Sequence, residues 1–320
     1  MGSKGLTRPP RLRVGARIAL VAPAGPLLER DDLTRGAELC RALGFEPVLA
    51  PNAGNRYGYL AGSDEQRLDD LNTAVRDSAI DGIWCLRGGY GITRILSGVD
   101  FAALERRPKA VIGFSDITAL INAIAHRSGV VAFHGPMSRK GLTPFSRSHF
   151  ERILTSPLKA GTLGRPAQPE GVLVSEVNRI VTLAPGKVEG RLYGGNLTLL
   201  QALIGTEFLP LLDGAILFLE DVGEDLYSVD RMLAHLRMAG VLGRVKGVMV
   251  GQFTDMKRNT SDGALGFDEV LATYFLPLRI PVAYGLPIGH VDDQWTLPLG
   301  VEASFDATTG EVQILEGAVE

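Results

Sequence analysis

The sequence predicts an α/β protein in two parts, a doubly wound parallel sheet followed by a smaller α+β domain. Three observations carry that expectation. Short, wholly apolar runs at 18–22, 83–86, 110–112 and 130–133 read as strands buried on both faces, and segments of helical periodicity separate them. Such alternation implies right-handed crossovers and parallel pairing. Around 156–169 the composition turns to Pro, Gly, Lys and Ala, a linker signal that divides the chain into 1–155, a linker at 156–170, and 171–320. Finally, 320 residues at 45% hydrophobic and 22% charged suffice for two adequate cores.

The elements follow in order. Strand 18–22 ends in the turn Pro23-Ala24-Gly25-Pro26. A helix over about 31–43 stops at Gly44, which suits the left-handed position after a helix. Strand 45–49 leads into a loop with Pro51, Asn52, Gly54 and Asn55. Ser63 and Gln66 form a capping box for a helix reaching about Arg76, with Leu68, Leu71 and Val75 at helical spacing. After strand 83–86 come the glycine-rich turn Arg87-Gly88-Gly89-Tyr90-Gly91, a helix or two, strand 110–112, a helix over 117–124, and strand 130–133. The second half is less regular, with strands at 172–177, 188–192, 215–219, 245–250, 296–299 and 312–315, and helices at 196–204 and 228–238.

The totals exclude several function classes. Net charge is -3 with no dense Lys/Arg stripe, which excludes a nucleic-acid interface; Arg8, Arg11, Arg13 and Arg17 decorate a solvated amino-terminal edge. No apolar run reaches the length of a membrane span, and 18–24 is too short for a signal h-region, so a cytoplasmic protein with no membrane partner is expected. Cys40 and Cys85 read as buried free thiols without metal-like spacing, and neither a metal nor a cofactor is expected.

The stretch Val111-Ile112-Gly113-Phe114-Ser115-Asp116-Ile117-Thr118 drives a buried strand into a helix through one tight turn with a serine at its apex. Ser115 or Asp116 could simply cap that helix. Alternatively, Ser115 is a nucleophile exposed at the carboxyl end of the sheet, faced by the amides of the first helical turn. Ile117 replaces the last glycine of a Gly-x-Ser-x-Gly elbow, so the turn alone decides nothing. A serine nucleophile needs a base and a carboxylate that orients the base. Among five histidines, His126 and His235 lie in helical patterns and His149 in a polar stretch. His134 and His290 each end an apolar segment beside glycine. His290 closes Gly285-Leu286-Pro287-Ile288-Gly289-His290; His134, leaving a neighbouring strand, is the runner-up and is placed as a pocket-lining residue. Glu220 ends strand 215–219, while Asp221 and Glu224 could instead cap the helix near Ser228 or pair with Arg231 or Arg237. The amides of Gly88, Gly89 and Asp116 are candidate oxyanion donors. The 87–91 turn lacks the Gly-x-Gly-x-x-Gly register and a following Lys-Ser/Thr, which argues against a nucleotide cradle.

Six motifs taken together carry a resemblance. Arg87-Gly88-Gly89-Tyr90-Gly91, Gly113-Phe114-Ser115-Asp116, His134-Gly135-Pro136, Gly194-Gly195-Asn196-Leu197, Leu219-Glu220-Asp221 and Gly289-His290 occur in the order found in the LD-carboxypeptidase family of serine peptidases. That family includes the muramoyltetrapeptide carboxypeptidases and the microcin C immunity peptidases. The resemblance runs from residue 18 to about 299. It implies a flavodoxin-like amino-terminal domain, a carboxyl-terminal domain with a small β-barrel, and a homodimer. It also implies a triad of Ser115, Glu220 and His290, an oxyanion hole from the amides of Gly89 and Asp116, and a site between the domains. The implied reaction is acyl transfer that releases terminal D-alanine from a murein tetrapeptide, with Arg87 as the candidate for its carboxylate. The microcin-type branch cleaves aminoacyl-nucleotide conjugates and needs an aromatic for the base, for which Trp295 is the candidate. A binding module that keeps the cleft without turnover is the third reading.

Overall fold

The computed structural model describes residues 6–168, 179–257 and 265–320; the strand expected at 172–177 lies outside the described residues. The amino-terminal half runs β1 (Arg17–Val21), α1 (Asp32–Ala42), β2 (Glu46–Leu49), α2 (Asp64–Arg76), β3 (Gly82–Cys85), α3 (Ile92–Ile95), α4 (Phe101–Arg106), β4 (Ala110–Gly113), α5 (Ile117–Arg127), β5 (Phe133–His134) and α6 (Pro144–Leu154). Its strands pair in the order β2-β1-β3-β4-β5, all parallel, which is the flavodoxin-like order. Every residue of β3 and β4 is buried, as a strand covered on both faces requires. The capping box of α2 is present: Gln66 N donates to Ser63 Oγ at 3.2 Å and Ser63 N to Gln66 Oε1 at 3.0 Å.

The rest of the chain runs β6 (Gly161–Leu163), β7 (Val181–Ala184), β8 (Lys187–Asn196), α7 (Leu197–Leu203), β9 (Ile216–Val222), α8 (Leu226–Met238), β10 (Gly247–Thr254), α9 (Phe267–Phe275), β11 (Val282–Tyr284), β12 (Leu297–Pro298), β13 (Glu302–Asp306) and β14 (Glu311–Ile314). Eight strands form a second sheet in the order β6-β14-β13-β8-β9-β10-β11-β7. Its centre, β8 to β11, is parallel, because each crossover carries a helix; its margins are antiparallel. Among the described residues this sheet is open at β6 and β7 and forms no closed barrel of the kind the resemblance implies.

Two strands depart from the expected division of the chain. β6, from the stretch read as a linker, pairs with β14. β12, late in the chain, leaves the second sheet and pairs antiparallel with β5, Leu297 opposite His134. The halves also meet where α5 packs on the end of β8. Asn196 N donates to Thr118 Oγ1 at 3.0 Å, and Asn122 Nδ2 to the Gly194 carbonyl at 2.9 Å. A Cβ on Gly195 would lie 2.5 Å from Thr118 Oγ1, so the glycine pair permits this close approach. Among the described residues no helix is long and apolar enough to cross a membrane.

Candidate active site

Ser115 stands between β4 and α5 with φ at +59°, a left-handed conformation that a non-glycine residue adopts only when its surroundings enforce it. No side chain caps α5, which removes the helix-cap reading of the turn. Asp116 instead turns its carboxylate sideways to accept from Ile92 N at 2.9 Å, tying the serine turn to the 87–91 turn. Burial pushes the Asp116 carboxyl up to about 6, partly offset by the amides of Ile92 and Gly91 and the charge of Arg67.

The 87–91 turn is fixed against both neighbouring loops. Gly25 N donates to the Gly88 carbonyl at 2.8 Å. Buried Arg67 donates to the carbonyls of Pro23, at 2.6 Å, and Gly91, at 3.0 Å. These loops follow β1 and β3, where the strand order reverses and ligands of such sheets bind. Sequence reasoning passed over Arg67, although its spacing with Leu71 and Val75 places it on the inward face of α2. A Cβ on Gly88 would lie 2.9 Å from Ser115 Oγ and 3.2 Å from Asp116 N, so the backbone at 88–89 stands directly against the serine.

Across from this turn, His290 Nδ1 and Glu220 Oε2 are 2.8 Å apart. Glu220 is wholly buried, whereas the His290 side chain is 22% exposed. Burial pushes the Glu220 carboxyl up, and the hydrogen bond to His290 opposes that rise. Gly289 has φ at +107°, and a Cβ there would lie 2.5 Å from Glu220 Oε2, so only glycine brings the two this close. Glu220 lies within β9, not at its end as expected: its ladder continues through Asp221 and Val222. The His290 ring packs edge-on to Phe114, centroids 4.8 Å apart, which brings it beside the serine turn. Among the described residues His290 makes no hydrogen bond to Ser115.

The loop carrying His290 is held by the first half of the chain. Ser146 Oγ donates to the Asp292 carbonyl at 2.7 Å and accepts from Gln294 N at 2.9 Å. Thr143, the N-cap of α6, donates to the Asp293 carboxylate. Lys140 Nζ pairs with Asp292 Oδ1 at 2.5 Å. A cavity of about 150 Å³ lies beneath this latch, with Phe114, Arg139 and His290 among its walls.

The three expected pocket residues differ in burial. His134 is fully buried with neither ring nitrogen hydrogen-bonded, packed against Phe114 and Phe218 at 5.8 and 5.2 Å. Burial and the nearby His290 push it down to about 3, so it is a neutral core residue under the site. Trp295 is also fully buried, its Nε1 donating to the Gly164 carbonyl at 2.8 Å, and offers no face for stacking. Arg87 is half-buried, and its Nη1 donates to the Pro26 carbonyl. Asp221 neither caps α8 nor pairs with Arg231 or Arg237; it accepts from Asn196 Nδ2 at 2.8 Å and Thr198 N at 3.0 Å, at the start of α7. Cys40 and Cys85 are buried and free, and no group of three metal-ligating side chains occurs among the described residues.

Residues 18–135 match the LD-carboxypeptidase N-terminal domain and residues 189–305 the LD-carboxypeptidase C-terminal domain. The chain is 36% identical over 303 residues to the murein tetrapeptide carboxypeptidase of Pseudomonas aeruginosa, covering 92% of this chain and 94% of that one. It superposes with a TM-score of 0.78 on the crystal structure of muramoyltetrapeptide carboxypeptidase from Oxalobacter formigenes, at 33% identity, covering 93% and 98% of the two chains. The structure of MccF in complex with glutamyl sulfamoyl guanosine superposes at 0.87 and 27% identity, covering 98% and 99%. Fold and likeness together define a serine-type carboxypeptidase, a hydrolase. Within that class, the chain belongs to the LD-carboxypeptidase family.

Proposed function

We propose that this protein releases the terminal D-alanine of murein tetrapeptide through Ser115, His290 and Glu220. The observation that carries the reading is the 2.8 Å contact of His290 Nδ1 with Glu220, buried behind the strained turn of Ser115. His290 takes the Ser115 proton as the hydroxyl oxygen attacks the peptide carbonyl, while Glu220 orients the imidazole and stabilises its cation. The amides of Gly89 and Asp116 hold the oxyanion; one such donor typically lowers the barrier by about 3 kcal/mol. His290 then protonates the leaving amine of D-alanine, and water, deprotonated by the same imidazole, cleaves the acyl-enzyme. The nucleophile thus belongs to residues 1–155, and the base and its carboxylate to residues 171–320. A cytoplasmic homodimer acting on recycled murein peptides completes the reading, with sedimentation velocity as the check on assembly.

The likeness to MccF bound to glutamyl sulfamoyl guanosine favours a second reading, hydrolysis of an aminoacyl-nucleotide conjugate by the same residues. Buried Trp295 removes the aromatic expected for the base. The deciding experiment is release of D-alanine from L-Ala-γ-D-Glu-meso-diaminopimelyl-D-Ala by wild type and Ser115→Ala. Release by wild type, with a loss of roughly 10⁴-fold to 10⁶-fold in the variant, is the expected result. Turnover of an aminoacyl-nucleotide conjugate alone would replace the substrate; turnover of neither would leave a binding module; equal release by both proteins would defeat the triad.

A further inference from the structure

We infer that Arg139 is the receptor for the substrate's free terminal carboxylate, in the cavity beside His290. The inference rests on the carboxypeptidase reading above and deepens it by assigning the leaving residue a site. The cavity's polar walls are Arg139, Lys140, His290, Asp292 and Gln294, over an apolar side formed by Phe114 and others. Its two cations differ. Lys140 is mostly exposed and committed to Asp292. Arg139 is 27% exposed, and among the described residues its guanidinium makes no hydrogen bond; the carboxylate closest to it, Asp32 Oδ1, is 3.9 Å away. Asp32 is already occupied by the amides of Leu28 and Glu29 and by Arg35 Nη2.

The charges around the cavity agree with an anion. Burial and the positive charges of Arg139 and Arg56 push the ionisation of Arg87 down, against the opposing pull of Asp32. Arg87 gives Nη1 to the Pro26 carbonyl, whereas among the described residues Arg139 makes no hydrogen bond and keeps its whole fork. A partly buried guanidinium without an acceptor presents two parallel N–H donors matched to a carboxylate. An anion there would also relieve the repulsion between the two arginines.

Position supplies the functional sense. His290 gives its proton to the amine of the leaving residue, and in a carboxypeptidase substrate that residue carries the free carboxylate one carbon from the amine. With the amine at His290, the carboxylate falls within the same cavity, where Arg139 forms part of the wall. The space, about 150 Å³, is below the roughly 300–1,000 Å³ typical of sites for drug-sized ligands. It suits one small amino acid. Arg139 therefore selects a chain end, and the cavity limits the residue that leaves.

The test compares the tetrapeptide ending in D-alanine with the same peptide ending in D-alaninamide, using wild type, Arg139→Gln and Arg139→Lys. Wild type is expected to favour the free acid by about 10²-fold in kcat/KM. R139Q should lose about 10²-fold on the free acid but under about fivefold on the amide, so the preference collapses, and R139K should recover part of it. Equal losses on both substrates would mark a structural role and overturn the inference. Undiminished preference in R139Q would also overturn it while leaving the carboxypeptidase reading intact. No release from either peptide by folded wild type would defeat that reading and the inference with it.

Discussion

The buried carboxyl of Asp116 gives the serine turn a pH signature. Its folded value of about 6 stands above the 3.8 of an exposed carboxyl, chiefly because burial penalises the charge. The fold therefore holds this proton longer than the unfolded chain does. The associated stability is fully present below 3.8 and is lost as pH rises through about 6. At 1.36 kcal/mol per pH unit, the whole effect is about 3 kcal/mol, of which about 2 kcal/mol falls between pH 4.5 and 7.5. Asp116→Asn cannot ionise, yet its side-chain carbonyl can still accept from Ile92 N, which now donates to the carboxylate at 2.9 Å. Urea unfolding of wild type and variant at both pH values isolates the term, since other titrating groups cancel in the difference. D116N should gain about 2 kcal/mol relative to wild type on going from pH 4.5 to 7.5. A difference independent of pH would refute the reasoning and show the carboxylate solvated or compensated.

Other perturbations separate alignment from chemistry. Ser146→Ala removes the two hydrogen bonds that Ser146 makes to the His290 loop; it should cost about 1–3 kcal/mol by denaturant unfolding and lower kcat with KM little changed. Glu220→Gln keeps the shape but not the charge behind His290, and kcat should fall roughly 10⁴-fold; near wild-type turnover would remove Glu220 from the triad. Gly289→Ala forces a Cβ into Glu220 at a left-handed φ, so circular dichroism should show a folded protein with a lowered melting temperature and kcat down at least about 10²-fold.

What the sequence made legible was local. The apolar runs of β1, β3 and β4 announce buried strands, and Ser63 with Gln66 fixes the start of α2. Strand, turn and helix around Ser115 are readable because every signal lies within a few residues. The apolar run stops at Leu219 and so puts Glu220 at a strand end, whereas the ladder continues opposite Asn196 on β8 and beside β10. A buried charge inside a strand is tolerated only with its partner, and His290 lies far along the chain. α6 gives no clear sequence signal because its buried face includes Ser146 and His149, which blunt the apolar period. Neighbouring glycine and sequence proximity to His290 point His134 and Trp295 to the pocket, but burial on the β5–β12 side of the sheet is a tertiary property. Arg139 carried no local signal; only its uncommitted guanidinium in a cavity with His290 distinguishes it.

The path of the chain around His290 explains how two sheets share one site. β11 belongs to the second sheet, and β12, soon after His290, belongs to the first. The segment between them is thus strung across the boundary with both ends hydrogen-bonded. Ser146, Thr143 and Lys140 fasten its middle, while Thr118 and Asn122 on α5 fasten the helix behind Ser115 to β8, the strand beside Glu220. A misplacement of about 1 Å can cost a catalyst about 10²-fold, so the proposed partnership of Ser115, at the end of a strand of the first sheet, with His290, between the two sheets, needs such fastening. The glycines at 194–195 and 289 serve that closeness: the first pair brings α5 onto the strand beside Glu220, and the last brings the His290 imidazole onto the Glu220 carboxylate itself.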